Sequence, residues 1–378
     1  MKKILFITGT RADYGKMKSL IRAVEAEQSL ELYIYVSGMH LIERLGNTYR
    51  EILKDGFTNA FIDFSQTNSG EMSFDLGDVV CHLTNYVGKI HPDMIVVHGD
   101  RIDALAGAIV GAFSNIKVAH IEGGELSGTI DESIRHAISK FAHIHMVCTE
   151  DARRRLIQLG EDESHIYVMG SPDIDIMLSD SLPDIDEAKG RYEISFDKYA
   201  VFMYHPVTTE LELLSEHIRN VVDALIRSEH NYIVIYPNND HGSDIILHEY
   251  ERLLDNKHFR IFPSIRFEYF LTLLKNSDYF IGNSSGGVRE TGVYGVPAIN
   301  IGTRQSGRYG DELRNIQHVD EEPEEILNAI KKADNYRVKA STYGDGASTV
   351  RFINILKNTE VWDSPIQKRF VDISRSTI

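Results

Sequence analysis

The chain has 378 residues, more than one ordinary hydrophobic core accommodates, so two domains are expected. Its composition, 42% hydrophobic and 25% charged, is that of a globular protein able to bury a sizeable core. Asp and Glu number 56 against 40 Lys and Arg, a formal charge of -16, which argues against general binding to nucleic acid or to an anionic membrane but not against a small anion held by a few placed cations.

The chain opens on an apolar run from Ile4 to Ile7 that Gly9-Thr10-Arg11 ends. It is far too short for a signal sequence or a bilayer span and reads as a first β-strand. Apolar, β-branched runs then recur at 31–37, 59–63, 94–98, 118–121, 144–148 and 166–169. Amphipathic helical patterns lie between them: Met17, Leu20, Ile21 and Val24 share one helix face, and Ile130, Ile134, Ala137, Ile138 and Phe141 share another. Continuous apolar strands separated by helices predict a parallel sheet covered on both faces. The pattern loosens after Gly170-Ser171-Pro172, and the acidic stretch 179–186 marks the expected junction. A second series of strands is predicted at 199–204, 232–236, 259–262, 279–282, 298–301 and 316–319. The fold class is therefore α/β, with domains at 1–175 and 176–360 and a tail at 361–378 that crosses back to the first domain. Cys81 and Cys148 fit no zinc spacing and no disulfide framework, which favours a reducing compartment. No window is apolar enough to cross a bilayer, so a cytoplasmic protein is expected.

Ligands of such folds bind outside the carboxyl ends of the strands, so chemistry is sought there. After the first strand come Arg11 and Lys16, either of which could reach a phosphate at a helix N-terminus; a glycine turn with two surface cations would look the same. There is no G-x-G-x-x-G and no Walker Lys-Ser/Thr. His98-Gly99-Asp100-Arg101 and His120-Ile121-Glu122-Gly123-Gly124-Glu125 follow two strands that should be neighbours. Asp131 falls in the first turn of a helix, four residues before Arg135. Carboxylates converging on one place suit proton transfer, because burial and neighbours push their pKa values apart. Asp131 could instead serve only the helix dipole. In the second half, His205 sits beside Pro206 at a strand end, and Asn238 lies in what could be an ordinary turn. The strongest local signal is Gly282-Asn283-Ser284-Ser285-Gly286-Gly287, followed by Glu290. Hydroxyls and backbone N–H groups at a helix start suit a diphosphate, and Glu290 suits ribose hydroxyls. Arg304 and Arg308 add cations after the next strand. Asp173 and Asp175, like Asp184 and Asp186, read as solvated surface rather than as metal ligands, and no metal is predicted.

Taken in order, Gly9-Thr10-Arg11 with Lys16, His98-Gly99-Asp100-Arg101, His120 to Glu125, Asp131-Glu132-Ser133-Ile134-Arg135-His136, His205-Pro206-Val207-Thr208-Thr209, Asn283-Ser284-Ser285-Gly286 and Gly302-Thr303-Arg304-Gln305 resemble the UDP-N-acetylglucosamine 2-epimerases. The likeness is to their hydrolysing branch, which feeds sialic acid synthesis, and to the epimerase half of the bifunctional epimerase/kinase. It extends to Tyr343-Gly344-Asp345-Gly346 and Gln367-Lys368-Arg369-Phe370. The resemblance implies a GT-B fold, two Rossmann-like doubly wound domains facing across a cleft. It implies a substrate, UDP-N-acetylglucosamine, that loses UDP by elimination across C1 and C2 to a 2-acetamidoglucal, which is hydrated to N-acetylmannosamine. It carries over Asp100, Glu122 and Asp131 as the acid/base set and His205 as a contact to the departing phosphate. It gives Arg11, Ser284, Ser285 and Glu290 as nucleotide contacts, with Lys16, Arg101, Asn238, Gly286 and Arg304 as further substrate contacts. It implies no cofactor and a homodimer or homotetramer. Non-hydrolysing relatives have Glu-Ala-Gly at 122–124 and Pro-Glu-Glu at 130–132, where this chain has Glu-Gly-Gly and Ile-Asp-Glu. Three other readings remain: a hydrolysing epimerase for UDP-2,4-diacetamido-trideoxyglucose, a GT-B glycosyltransferase, and a non-catalytic nucleotide-sugar sensor.

Overall fold

The computed structural model describes residues 1–127, 129–310, 312–340 and 343–372. Contacts divide the chain into two compact units: unit 1 comprises Met1–Glu125, Asp131–Leu178 and Tyr343–Ile378, and unit 2 comprises Leu126–Ile130 and Ser179–Thr342.

Unit 1 is built on seven parallel strands: β1 (Lys2–Thr8), β2 (Leu30–Val36), β3 (Ala60–Ile62), β4 (Met94–His98), β5 (Lys117–Ile121), β6 (Ile144–Val147) and β7 (Ile166–Val168). They lie in the order β3-β2-β1-β4-β5-β6-β7. The central strands are apolar throughout because both faces are covered. One face of β1 gives Ile4 and Phe6 to a core with Met17, Leu20, Ile21 and Val24 of the helix Arg11–Ala26. The other gives Leu5 and Ile7 to a core with Ala104, Ala108 and Ile138. The return to unit 1 begins at Tyr343, earlier than the position 361 expected from the sequence. The helix Ser348–Lys357 places Phe352, Ile355 and Leu356 in the first of these cores, and the Phe6 and Phe352 rings lie 6.1 Å apart.

Unit 2 repeats the plan with β8 (Ala200–Met203), β9 (Tyr232–Ile235), β10 (Phe259–Phe262), β11 (Phe280–Gly282), β12 (Ala298–Ile301) and β13 (Ile316–Val319), all parallel, in the order β10-β9-β8-β11-β12-β13. Each unit is thus a Rossmann-like doubly wound sheet, as the strand pattern predicted. Among the described residues, no helix is long and apolar enough to cross a membrane.

The reading of Asp173 and Asp175 as solvated surface is corrected. Asp173 is fully buried and faces Lys16. Asp175 accepts the backbone N–H of Ser348 (2.9 Å) and Thr349 (2.6 Å), satisfying donors that open the returning helix. The local acidity that suggested solvent serves contacts distant in sequence.

Candidate active site

In a doubly wound sheet the ligand crevice lies at the carboxyl ends of the strands where the winding reverses. That point falls between β1 and β4 in unit 1 and between β8 and β11 in unit 2. The motifs singled out in the sequence follow these four strands and their neighbours β5 and β12, apart from Asn238, which follows β9.

In unit 1, β4 and β5 pair in register from Met94↔Lys117 to His98↔Ile121, so the loops bearing Asp100 and Glu122 leave the sheet side by side. Arg135, on the helix Ile130–Phe141, is fully buried and forms an ion pair with Asp100. Its other amino group donates to Glu125 O at 3.3 Å. Asp131 is buried one turn earlier on the same helix. Glu122 lies 2.9 Å from His98 Nε2. Arg135 therefore ties Asp100 to the framework, the His98 ring stands against Glu122, and the helix that supplies Arg135 supplies the third predicted carboxylate.

The backbone beneath them is constrained. Glu122 adopts φ +68°, a left-handed conformation that costs a non-glycine residue about 1–3 kcal/mol and recurs at functional sites. It is held there by its N–H on Met146 O at 3.1 Å. Gly99, at φ +74°, donates its N–H to Ile121 O at 3.0 Å. His120, in β5, bridges the loop after β4 and the helix Ile130–Phe141: Nε2 is 2.8 Å from Gly99 O and Nδ1 is 3.1 Å from Ser139 Oγ. A carbonyl only accepts, so Nε2 carries the proton and Nδ1 accepts from Ser139. Burial holds this imidazole neutral, with its pKa down to about 3. A Cβ on Gly123 would lie 2.9 Å from both His120 Nδ1 and Ser139 Oγ, so glycine there makes room for the bridge.

The β1 loop is held by carboxylates. Thr10 and Asp13 form a reciprocal capping box at the start of the helix Arg11–Ala26. Asp13 also accepts from Thr8 Oγ1 (2.5 Å) and Gly9 N (3.1 Å). Gly9 is required less for a turn than for close approach, since a Cβ there would lie 2.1 Å from Asp103 Oδ2. Asp103 accepts from Ser37 Oγ at 2.5 Å, and Arg101 stands at the N-cap position of the helix that bears it, without a side-chain capping bond. Of the two predicted anion-binding cations, Arg11 donates to Glu51 (2.5 Å) and Lys16 is turned inward to Asp173 (3.5 Å).

In unit 2, His205 and Asn283 clamp the ends of β8 and β11 together. His205 N donates to Asn283 Oδ1 (2.7 Å), and Asn283 Nδ2 donates to His205 O (2.9 Å). His205 Nδ1 accepts from Asn238 N at 3.0 Å, which leaves Nε2 as the protonated nitrogen of the neutral ring. The Asn238 side chain is engaged within its own turn, donating to Asp240 Oδ2 at 2.5 Å. The helix Gly286–Tyr294 starts after Ser285, whose side chain makes no capping bond. The Ser285 hydroxyl is thus not occupied by the helix it precedes. Gly287 lies on the Phe280 ring, where a Cβ would come within 2.8 Å. Glu290 Oε2 lies 3.6 Å from the position a Cβ would take on Gly286, so its carboxylate rests against the first turn of its own helix. Arg304 (3.3 Å) and Gln305 (2.8 Å) donate to Asn283 O, and Arg308 donates to Gln305 Oε1 at 3.4 Å.

Sequence reasoning singled out the carboxylates but not the partners that hold them. His98, His120 and Asn283 stood in the quoted motifs without a role, and Arg135 was assigned only its spacing from Asp131. Ser139 and Gln305 carried no signal beyond their neighbours.

A sequence profile described as UDP-N-acetylglucosamine 2-epimerase matches residues 22–357. The chain is 45% identical to a protein of Neisseria meningitidis serogroup B named UDP-N-acetylglucosamine 2-epimerase, over 99% of this chain and 100% of that one. It is 34% identical to a Legionella pneumophila protein named UDP-N,N'-diacetylbacillosamine 2-epimerase (hydrolyzing), over 97% and 99% of the two chains. A solved structure of Methanocaldococcus jannaschii UDP-GlcNAc 2-epimerase in complex with UDP-GlcNAc and UDP matches in fold with a TM-score of 0.80 at 22% identity, covering 94% of this chain and 99% of that one. The chain belongs to the UDP-N-acetylglucosamine 2-epimerase family.

Proposed function

We propose that this protein is a hydrolysing UDP-N-acetylglucosamine 2-epimerase that converts UDP-N-acetylglucosamine and water to N-acetylmannosamine and UDP. The observation that carries the reading is the grouping of Asp100, Glu122 and Asp131 in unit 1, with Asp100 paired to Arg135 of the helix that bears Asp131 and Glu122 beside His98. The C2 proton is removed as the C1–O bond breaks, UDP leaves with the electron pair, and a C1=C2 bond remains. Water then adds its oxygen to C1, and a proton returns to the opposite face of C2. No electrons are gained or lost overall, and the reaction calls for no cofactor.

In this reading Asp100 takes the C2 proton, and Glu122 and Asp131 manage water and reprotonation. Ser284, Ser285 and the N–H groups of Gly286 and Gly287 meet the diphosphate, whose growing charge needs fixed donors. Glu290 takes the ribose, His205 Nε2–H and Arg304 meet the departing phosphate, and Arg101 and Asn238 make further substrate contacts. Arg11 must leave Glu51, and Lys16 must leave Asp173, to reach a ligand. A cytoplasmic homodimer or homotetramer supplying sialic acid synthesis fits the resemblance, and light scattering tests the assembly.

A second reading changes the sugar to UDP-2,4-diacetamido-trideoxyglucose, favoured by the Legionella relative. Both nucleotide sugars, supplied together at equal concentration and followed by mass spectrometry, decide between them. Preferential release of free N-acetylmannosamine and UDP supports the first reading. Preferential use of the diacetamido sugar supports the second, and accumulation of UDP-N-acetylmannosamine contradicts hydrolysis.

A further inference from the structure

The motif Gln367-Lys368-Arg369-Phe370 takes no part in the chemistry above, yet residues 364–371 are anchored to unit 1 at several points. Lys117 Nζ donates to Ser364 O (2.5 Å) and Oγ (2.7 Å). His143 Nε2 lies 2.9 Å from Ile366 O, and Val371 N donates to Gly160 O at 3.0 Å. The Phe370 ring covers Gly160 so closely that a Cβ there would lie 2.5 Å from it.

Lys368 is the member of this strap that reaches inward. Its ammonium donates to Ser139 O (3.0 Å), to Ala142 O and to Glu161 Oε2 (2.5 Å). Glu161 also accepts from His145 (3.0 Å) and pairs with Lys140 (2.6 Å), so the cation is locked among partners. Ser139 and Ala142 lie in and just beyond the last turn of the helix Ile130–Phe141. A cation there satisfies orphan carbonyls and faces the negative end of the helix dipole. That helix carries Asp131 at its other end and Arg135 at its middle. Ser139 also continues inward by its side chain, to His120 and from there to Gly99 O. Three successive hydrogen-bonded steps thus join the strap to the backbone immediately before Asp100, and the same His120–Ser139 pair lies against Gly123, next to Glu122.

We propose that Lys368 is a positioning residue for the reaction: by holding the end of the helix Ile130–Phe141 and the Ser139–His120–Gly99 chain, it fixes where Asp100 and Glu122 stand. This rests on reading those carboxylates as the acid/base set. Placement errors of about 1 Å can cost about 100-fold in rate, so a remote clamp of this kind has leverage.

The test uses the full chain with Lys368→Met, Lys368→Arg and Ser139→Ala. Hydrogen exchange is followed at the Gly99 and Glu122 amides, which donate to Ile121 O and Met146 O. Steady-state turnover of UDP-N-acetylglucosamine is measured alongside. Lys368→Met is expected to speed exchange at both amides and to lower kcat by about tenfold or more with KM little changed. Lys368→Arg is expected to recover most of kcat, because a guanidinium still donates to carbonyls. Ser139→Ala breaks the chain with the strap in place and should reproduce the exchange effect even if Lys368→Met fails to fold. Unchanged exchange at Gly99 and Glu122 in the folded variants, with activity falling only with the folded fraction, overturns the proposal. Absence of turnover in the unmodified protein would refute the proposed function, while the exchange measurement would still read the coupling.

Discussion

Asp100 owes its position to Arg135, a fully buried guanidinium thirty-five residues away in sequence that pairs with it. If Asp100 is the base, Asp100→Asn keeps the shape but removes the proton acceptor, and kcat should fall by about 10²–10⁴-fold. Because buried Arg135 loses its counter-charge, the melting temperature should fall as well, so kcat is compared per folded molecule. Undiminished exchange of the C2 proton in that variant would assign the base elsewhere. Asp103 illustrates a different use of a carboxylate. Burial pushes its pKa up to about 6 from 3.8, and Asp13 adds to the shift, while Ser37 and Arg101 oppose it. A carboxyl with a raised folded pKa stabilises the fold below its unfolded value and loses that contribution as pH rises through the folded one. Asp103 should therefore weaken the fold progressively between pH 3.8 and about 6. Asp103→Asn should gain stability relative to the parent across that window, as read by urea unfolding at a series of pH values; parallel pH profiles would contradict this.

At the scale of elements, the strands were legible and the clamps between them were not. Each predicted apolar run became a strand because a parallel sheet buried on both faces demands continuous β-branched and apolar residues, as Ile4 to Ile7 and Met94 to Val97 show. The positions of Asp100, Glu122 and Ser284 followed from the strand ends. Their partners did not: Arg135 with Asp100, Asn283 with His205 and Lys16 with Asp173 join segments far apart in sequence, and helical spacing or local composition says nothing about which segments meet. Asp173 is the clearest case, an acidic residue in an acidic stretch that lies fully buried. Gly282 shows what the strand ends require. At φ +131°, with Met203 O only 1.9 Å from where a Cβ would stand, it lets β11 run against the end of β8. Gly282→Ala should destabilise the protein by at least about 2 kcal/mol, seen as a lower urea midpoint at unchanged m-value. An unchanged midpoint would show that the backbone relaxes without cost.

Across the whole molecule, the charge of -16 and an anionic nucleotide-sugar substrate are compatible because the proposed diphosphate contacts are N–H groups and hydroxyls at one helix start, with Arg304 beside them, rather than a basic surface. The histidines set a further global property. Burial lowers His40 and His120 to about 3 from 6.5, and His143 to about 4. In the folded state these rings stay neutral, so the unfolded chain takes up protons first as the medium acidifies. Their contribution is whole above pH 6.5 and is lost as pH falls toward about 3, at up to about 1.4 kcal/mol per pH unit for each of His40 and His120. Stability measured from pH 7 to pH 4 should fall more steeply than in a variant with His120 replaced by Gln; equal slopes would mean that His120 takes no part.

The most direct measurement of the central claim is turnover of UDP-N-acetylglucosamine in deuterated water, followed by proton NMR. The proposed elimination and hydration require UDP and N-acetylmannosamine to appear together, with deuterium at C2 of the sugar. Release of UDP with protonated N-acetylglucosamine, or UDP-N-acetylmannosamine with the sugar–phosphate bond intact, would contradict it.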